Sequence, residues 1–194
     1  MKTVLLNLFL LISLNSFGQL PEIKTNVEER IKLESVVYDI LHIEYDFIIS
    51  FTTESYWSSK ENFQVIAKKG ETWNKLNIKR KKKKNGNFSK PKIRKQKLKS
   101  ETAENLLREL TNESFWTLNR DSLNNFKVED KENGITHLYT KTDGTNYKFE
   151  VFTKSNFLLI NAYEPEYYSK VIPEVISRRT FISCANLFIN MVKE

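Results

Sequence analysis

The stretch Ile135–Thr153, ITHLYTKTDGTNYKFEVFT, decides the fold class. Tyr147, Phe149 and Val151 alternate with Lys148, Glu150 and Phe152, the period-two spacing that puts successive side chains on opposite faces of a strand. Asp143-Gly144 is the dipeptide that supplies the positive φ angles of a tight hairpin turn. Ile135–Thr142 and Thr145–Thr153 are therefore predicted as its two arms. A third arm, Phe157–Tyr163 (FLLINAY), follows the turn at Ser155-Asn156, which makes an antiparallel meander.

A second β region lies upstream. Asp46–Thr53 (DFIISFTT) reads as a strand, and Asn62–Lys69 (NFQVIAKK) and Thr72–Arg80 (TWNKLNIKR) read as a hairpin around Lys69-Gly70-Glu71. In its second arm Trp73 is in register with Lys75 and Asn77, while Leu76 and Ile78 face the other way. Three helices surround these strands. The first is expected from Asn26 to about His42, with Leu33, Val37, Ile40 and Leu41 on its apolar stripe. Another starts at Ser100, with Glu101 and Glu104 near its positive end and Leu106, Leu107 and Leu110 buried. Phe115, Trp116 and Leu118 then form an aromatic plug, followed by a polar stretch anchored by Leu123, Phe126 and Val128. The last helix starts at Pro173, a position that tolerates proline, and buries Phe181, Ile182, Ala185, Phe188, Ile189 and Val192. The order predicts an α+β fold: an antiparallel sheet built from two three-stranded regions, with helices packed on one face.

At the N-terminus, Lys2 precedes an apolar run, Val4–Leu14, that stops well short of the roughly 20 residues a transmembrane span needs. Ser16 and Gly18 are small residues at the two positions a signal peptidase inspects. Residues 1–18 are thus expected to be a signal peptide, leaving a protein exported to the periplasm, cell surface or medium with no transmembrane helix. The Gly18-Gln19 junction resembles the Gly-Gln and Ala-Gln endings of exported proteins in one large group of Gram-negative bacteria. Cys184 is the sole cysteine, so the junction has none to accept a lipid. Residues 19–194, roughly 175 in all, form one expected domain. Its fold needs no disulfide, and Cys184, in an apolar run, reads as a buried small hydrophobe.

The net charge of +7 is unevenly distributed. Between Lys68 and Lys99 there are fifteen Lys and Arg against one acid, Glu71, so a basic segment is set into an otherwise acidic body. Lys81–Lys99 has almost no apolar content and carries Asn85-Gly86 and Pro91. It is expected to be a flexible insertion, because its cations repel one another. The candidate polyanion-binding residues are Lys79, Arg80, Lys81, Lys82, Lys83, Lys84, Lys90, Lys92, Arg94, Lys95, Lys97 and Lys99. Such a run attracts polyanions by counterion release, or anionic lipid by charge. Phe88 is its only aromatic, so it has no ladder of rings for reading successive bases. The alternative is a solvated loop in a lysine-rich chain.

Catalytic patterns are missing. His42 and His137 belong to no metal-binding pair such as HExxH, and there is no GxSxG elbow or SxxK. Glu28-Glu29, Glu129-Asp130 with Glu132, and Glu164 with Glu166 lie in polar settings that leave carboxylates with ordinary acidity. Five glycines supply no phosphate-cradling loop. No cofactor or metal is expected. The leading expectation is an exported, non-enzymatic protein whose sheet binds a protein or an envelope component. The second is an electrostatic binder of anionic lipid, lipopolysaccharide or extracellular nucleic acid, and the third is an enzyme without a recognisable motif.

Overall fold

A computed structural model describes residues 20–28, 34–130 and 132–193. The predicted signal peptide and the helical turn predicted at 29–33 lie outside the described residues. Strands β1 (Phe47–Ser55), β2 (Lys60–Lys69), β3 (Thr72–Lys81) and β4 (Lys92–Leu98) follow a short helix, α1 (Val36–Leu41). Helix α2 (Ser100–Asn112), a 3-10 turn (Phe115–Thr117) and the short helix α3 (Arg120–Leu123) lead to β5 (Lys127–Asp130) and β6 (Ile135–Leu138). The chain ends with β7 (Thr145–Thr153), β8 (Phe157–Tyr163), α4 (Pro165–Val171) and α5 (Ile176–Lys193).

The α+β class holds, but the division into two three-stranded regions does not. One six-stranded sheet has the order β4-β3-β2-β1-β7-β8, and β5 and β6 form a separate pair. The two regions fuse because β1 pairs antiparallel with β7 along its length, from Phe47↔Thr153 to Ser55↔Thr145. With β8 on its other side, β7 has no edge left for Ile135–Leu138, which pairs with β5 instead. Asp143 does take a positive φ of 58°. Gly144 serves a different purpose: a Cβ there would collide with Tyr163 and Glu164. Its N–H donates to the Tyr163 hydroxyl at 2.8 Å, and Thr145 N–H donates to Glu164 Oε1 at 2.6 Å.

Helices cover both faces of the sheet, which corrects the one-face expectation. Phe47, Ile49 and Phe51 of β1 pack with Trp73, Phe149 and the buried stripes of α2 and α5. Ile48 points the other way, into a second core of Phe63, Val65, Leu76, Ile78, Phe152 and Phe157, closed by Val37 and Leu41 of α1. A strand buried on both sides has no polar alternation, and that is why β1 reads as a continuous apolar run. Leu106, Leu107 and Leu110 are buried in α2 as their spacing predicts. Pro173 lies in the turn before α5, which begins at Ile176. The stretch through Tyr167 and Tyr168 forms α4, with Pro165 in its first turn.

The two sheet edges differ. Along β8, Asn26 accepts from Leu159 N–H and donates to Leu159 C=O, both at 2.8 Å. Further along, Asn124 accepts from Tyr163 N–H and donates to Asn161 C=O, both at 2.9 Å. Each side-chain amide thus stands in for the backbone of a neighbouring strand and closes the edge. Asn124→Ala is expected to cost about 1–2 kcal/mol, since it strands two backbone groups at once. Urea unfolding checks this, and an unchanged midpoint would contradict it.

The far edge is β4. Lys92–Leu98 is a strand where the sequence predicts irregular chain, in register with β3 from Lys79↔Lys92 to Trp73↔Leu98. From Lys92 to Lys97 every side chain is exposed.

Candidate functional site

The hairpin that joins β3 to β4 is built from backbone bonds that need no apolar side chains. Lys82 bridges to Phe88, Lys83 N–H donates to Asn87 C=O at 2.7 Å, and Ser89 N–H donates to Lys81 C=O at 2.8 Å. Gly86 takes the positive φ, 85°, that closes the turn. The Arg80 guanidinium lies 4.1 Å from the centre of the Phe88 ring, which anchors the loop to the strand below it.

Pairing fixes where the twelve candidate residues point. Trp73 belongs to the core beneath α2 and α5, so Lys75, Lys79 and Lys81, in step with it, lie on that side of the sheet. Lys92 and Arg94 pair opposite Lys79 and Asn77 and share their face. Arg80, Lys95 and Lys97 lie on the α1 side. Lys82, Lys83, Lys84 and Lys90 belong to the loop, and Lys99 precedes α2.

Two of the twelve are neutralised within the fold. Arg80 is ion-paired with Glu61. Lys95 pairs with Glu44 at 3.0 Å and sits over the Tyr45 ring at 5.1 Å. The Tyr45 oxygen and the Glu44 carboxylate raise the Lys95 pKa above its ordinary value. Lys79, Lys92 and Arg94 have no ion pair among the described residues.

These free cations converge. A groove of about 790 Å³ runs between the α2/α5 side of β2–β4 and the end of α5, lined by Lys75, Lys79, Lys92, Arg94 and Lys193. The amides of Gln64, Asn77 and Gln96 also line it. Gln64 Oε1 is buried there without a hydrogen-bond partner. The structure therefore brings Lys79, Lys81, Lys92 and Arg94 together in one concave site, with the ion-paired Arg80 also at its wall, and leaves the rest of the basic run outside it, on the opposite face, at the loop or, for Lys99, at the start of α2. Lys75, Gln64, Asn77 and Lys193 were missed by the sequence reading. Lys75 was recoverable, because it is in step with Lys79 along the same strand.

Among the described residues no carboxylate, histidine or cysteine lines the groove. Ser89, its one hydroxyl, accepts from Lys81 N–H at 3.0 Å and donates to Lys90 C=O at 3.3 Å, so it is committed to the hairpin. The site can hold an anion. None of its described lining residues is a carboxylic acid, an imidazole or a thiol, the groups that most often transfer protons.

The other chemical candidates are dispersed. His42 bonds Tyr38 C=O at 2.7 Å through Nδ1 and stacks on the Tyr38 ring. His137 sits in β6 opposite Val128. Burial pushes the Cys184 thiol up to about 12, which leaves no reactive thiolate near neutral pH. Asp130 is held low by the Asn133 amide and the Glu132 N–H, which bind it as part of a turn. Among the described residues no group of three or more His, Cys, Asp or Glu could hold a metal ion, and no helix is long and apolar enough to cross a membrane.

No protein-family model matches the chain, and the curated proteins contain no match to it. Function must therefore be argued from the residues themselves.

Proposed function

We propose that this chain is an exported, non-enzymatic protein that binds an anionic component of the cell envelope through the β3–β4 groove. One observation carries the reading. The sheet extends beyond its helical cover at β4, and the concave surface exposed there is lined by amides and by cations; among the described residues all of these cations but Arg80 are unpaired, and no acid lines the surface. A cluster of one sign beside a low-dielectric wall concentrates ligands of the opposite sign. The amides add hydrogen-bonding capacity without charge. Export is supported by the composition of residues 1–18, and a passive binding role by the absence of a carboxylic acid, imidazole or thiol among the described lining residues of the groove.

Heparin is a suitable probe polyanion. Six lining cations are unpaired among the described residues, Lys75, Lys79, Lys81, Lys92, Arg94 and Lys193. With these engaged, the logarithm of its affinity is expected to fall with the logarithm of salt concentration at a slope of about −4.2. The variant K79A/K92A/R94A should bring that slope to about −2.1. Titrations across a salt series decide it. Affinity insensitive to salt, or an unchanged slope in the triple variant, would sink the proposal.

A further inference from the structure

The strongest feature outside the groove is the end of the sheet where the β1–β2 turn meets the β3–β4 loop. Tyr56 and Trp57, at the tip of the first, are 82% and 70% exposed, and among the described residues their only aromatic neighbours are each other, ring centres 5.1 Å apart and nearly perpendicular. Two large rings held in solvent forfeit burial that the fold could have supplied. The second loop carries Lys82, Lys83, Lys84 and Lys90, all exposed, and Lys82 lines a small hollow together with Tyr56. Lys82 N–H donates to Ser59 C=O at 2.8 Å, so the two loops form one connected tip. The acids nearest the tip are already occupied: Glu54 pairs with Lys148, and Glu61 with Arg80.

We propose that this tip docks on an anionic lipid bilayer, with Tyr56 and Trp57 seated at the headgroup level and the loop lysines on the lipid charges. This deepens the reading above by assigning the anionic component to a membrane surface. Tyr and Trp are the side chains that favour the membrane–water interface, because each has an apolar body and a polar end. Cations held near an anionic leaflet each raise affinity about fivefold. The shape of the tip selects the bilayer over a nucleic acid or a glycan. A base or sugar stacks on a ring laid open beside a groove, whereas Trp57 projects into solvent, packed edge-to-face with Tyr56, and the hollow that Tyr56 lines holds only about 140 Å³. A soft interface accepts such a projection.

The test uses the full chain and three probes: vesicles of phosphatidylcholine and phosphatidylglycerol in equal parts, vesicles of phosphatidylcholine alone, and heparin. The mixed vesicles are expected to co-sediment the protein and shift its tryptophan emission to the blue. Phosphatidylcholine alone should do neither. Trp57→Phe should abolish the shift but keep co-sedimentation, because Trp73 is buried in the core and Trp116, half-buried, lines a separate hollow beside Leu158 and Leu159 of β8, away from the tip. The double variant Y56S/W57S should bind mixed vesicles at least about tenfold more weakly, while its heparin affinity stays at the parental value. Both positions are exposed, so an unchanged melting temperature confirms that folding is intact.

Parental vesicle binding by Y56S/W57S, or the absence of a Trp57 shift in the bound protein, would overturn the membrane assignment. Loss of heparin affinity in Y56S/W57S would also overturn it, by showing that the rings contact a polymer. Failure of the groove reading looks different: heparin affinity is then unaffected by K79A/K92A/R94A, whatever the vesicles do.

Discussion

Replacing Arg178 by alanine is expected to destabilise the fold by about 3–5 kcal/mol, a large share of the 5–15 kcal/mol typical of a domain. Arg178 lies in the first turns of α5 and is fully buried, yet it has no carboxylate partner among the described residues. Its guanidinium donates instead to backbone carbonyls: Leu123 at 2.9 Å, Tyr168 at 3.4 Å, and Asn125. The Phe126 and Tyr168 rings stand over it at 5.6 and 5.5 Å. Burial lowers its pKa, but a guanidinium begins so high that it stays charged. Truncation to alanine strands the Leu123 and Asn125 carbonyls, while Tyr168 C=O keeps the Ile172 N–H at 2.9 Å, and it leaves a cavity, two costs that add.

The same residue ties α5, α4 and the α3–β5 connection into one layer, because its acceptors come from two separate segments, Leu123 with Asn125 and Tyr168 of α4. Arg178→Lys keeps the charge and loses the planar fork, so it is expected to recover only part of the stability. Arg179 is an internal control. It is adjacent in sequence and exposed, and Arg179→Ala should change stability by no more than about 0.5 kcal/mol. Urea unfolding of the three variants separates the cases. Equal midpoints for the two alanine variants would refute the role given to Arg178.

Arg178 also shows what a single sequence can reveal. It lies three residues before Phe181 and seven before Ala185, on the buried stripe of α5, so its burial was legible from spacing. Its carbonyl partners were not, because they depend on how distant segments meet. Period-two alternation identified β7 and β8 as strands but said nothing about their neighbours. The pairing of β1 with β7 is a long-range choice that local pattern does not encode.

The candidate site was legible in composition and illegible in geometry. β4 was missed because a strand exposed on both faces buries nothing periodically. Its sequence, KIRKQKL, holds only Ile93 and Leu98 as apolar residues, and backbone pairing with β3 carries the rest. Charge repulsion argued for a flexible segment, yet the hairpin bonds around Gly86 and the Arg80–Phe88 stack hold that turn. The division of the lysines between the two faces follows once the register is known. It could not have been assigned while the segment was read as irregular. Tyr56 and Trp57 carried no signal as sequence, since exposure alone sets them apart from the other aromatics.

Lys148→Met is expected to cost about 3–5 kcal/mol at neutral pH, for the reason that breaking a buried ion pair costs more than never having built it. Lys148 lies between Glu54 and Glu150 on the α1 side of the sheet, 3.4 Å from Glu150 Oε1 and ion-paired with Glu54. Glu150 is only 3% exposed, and its one other side-chain partner is the Ser50 hydroxyl at 3.4 Å. Without Lys148 its carboxylate would be charged, buried and uncompensated. Burial by itself would lower the Lys148 pKa, but Glu150 and Glu54 outweigh it and raise the value above 10.5. A raised lysine contributes stability that is fully present below its unfolded pKa and is lost as pH climbs through the folded one. The parent should accordingly lose stability above about pH 10.5 through this group, and K148M should lack that component. The double variant K148M/E150M removes both buried charges and should recover most of the loss, since an apolar pair of similar volume is often as stable as the ion pair. Thermal unfolding of parent, single and double variants from neutral to alkaline pH checks all three statements. A double variant as unstable as K148M would mean that packing around Lys148, and not the stranded Glu150 carboxylate, is what the fold depends on.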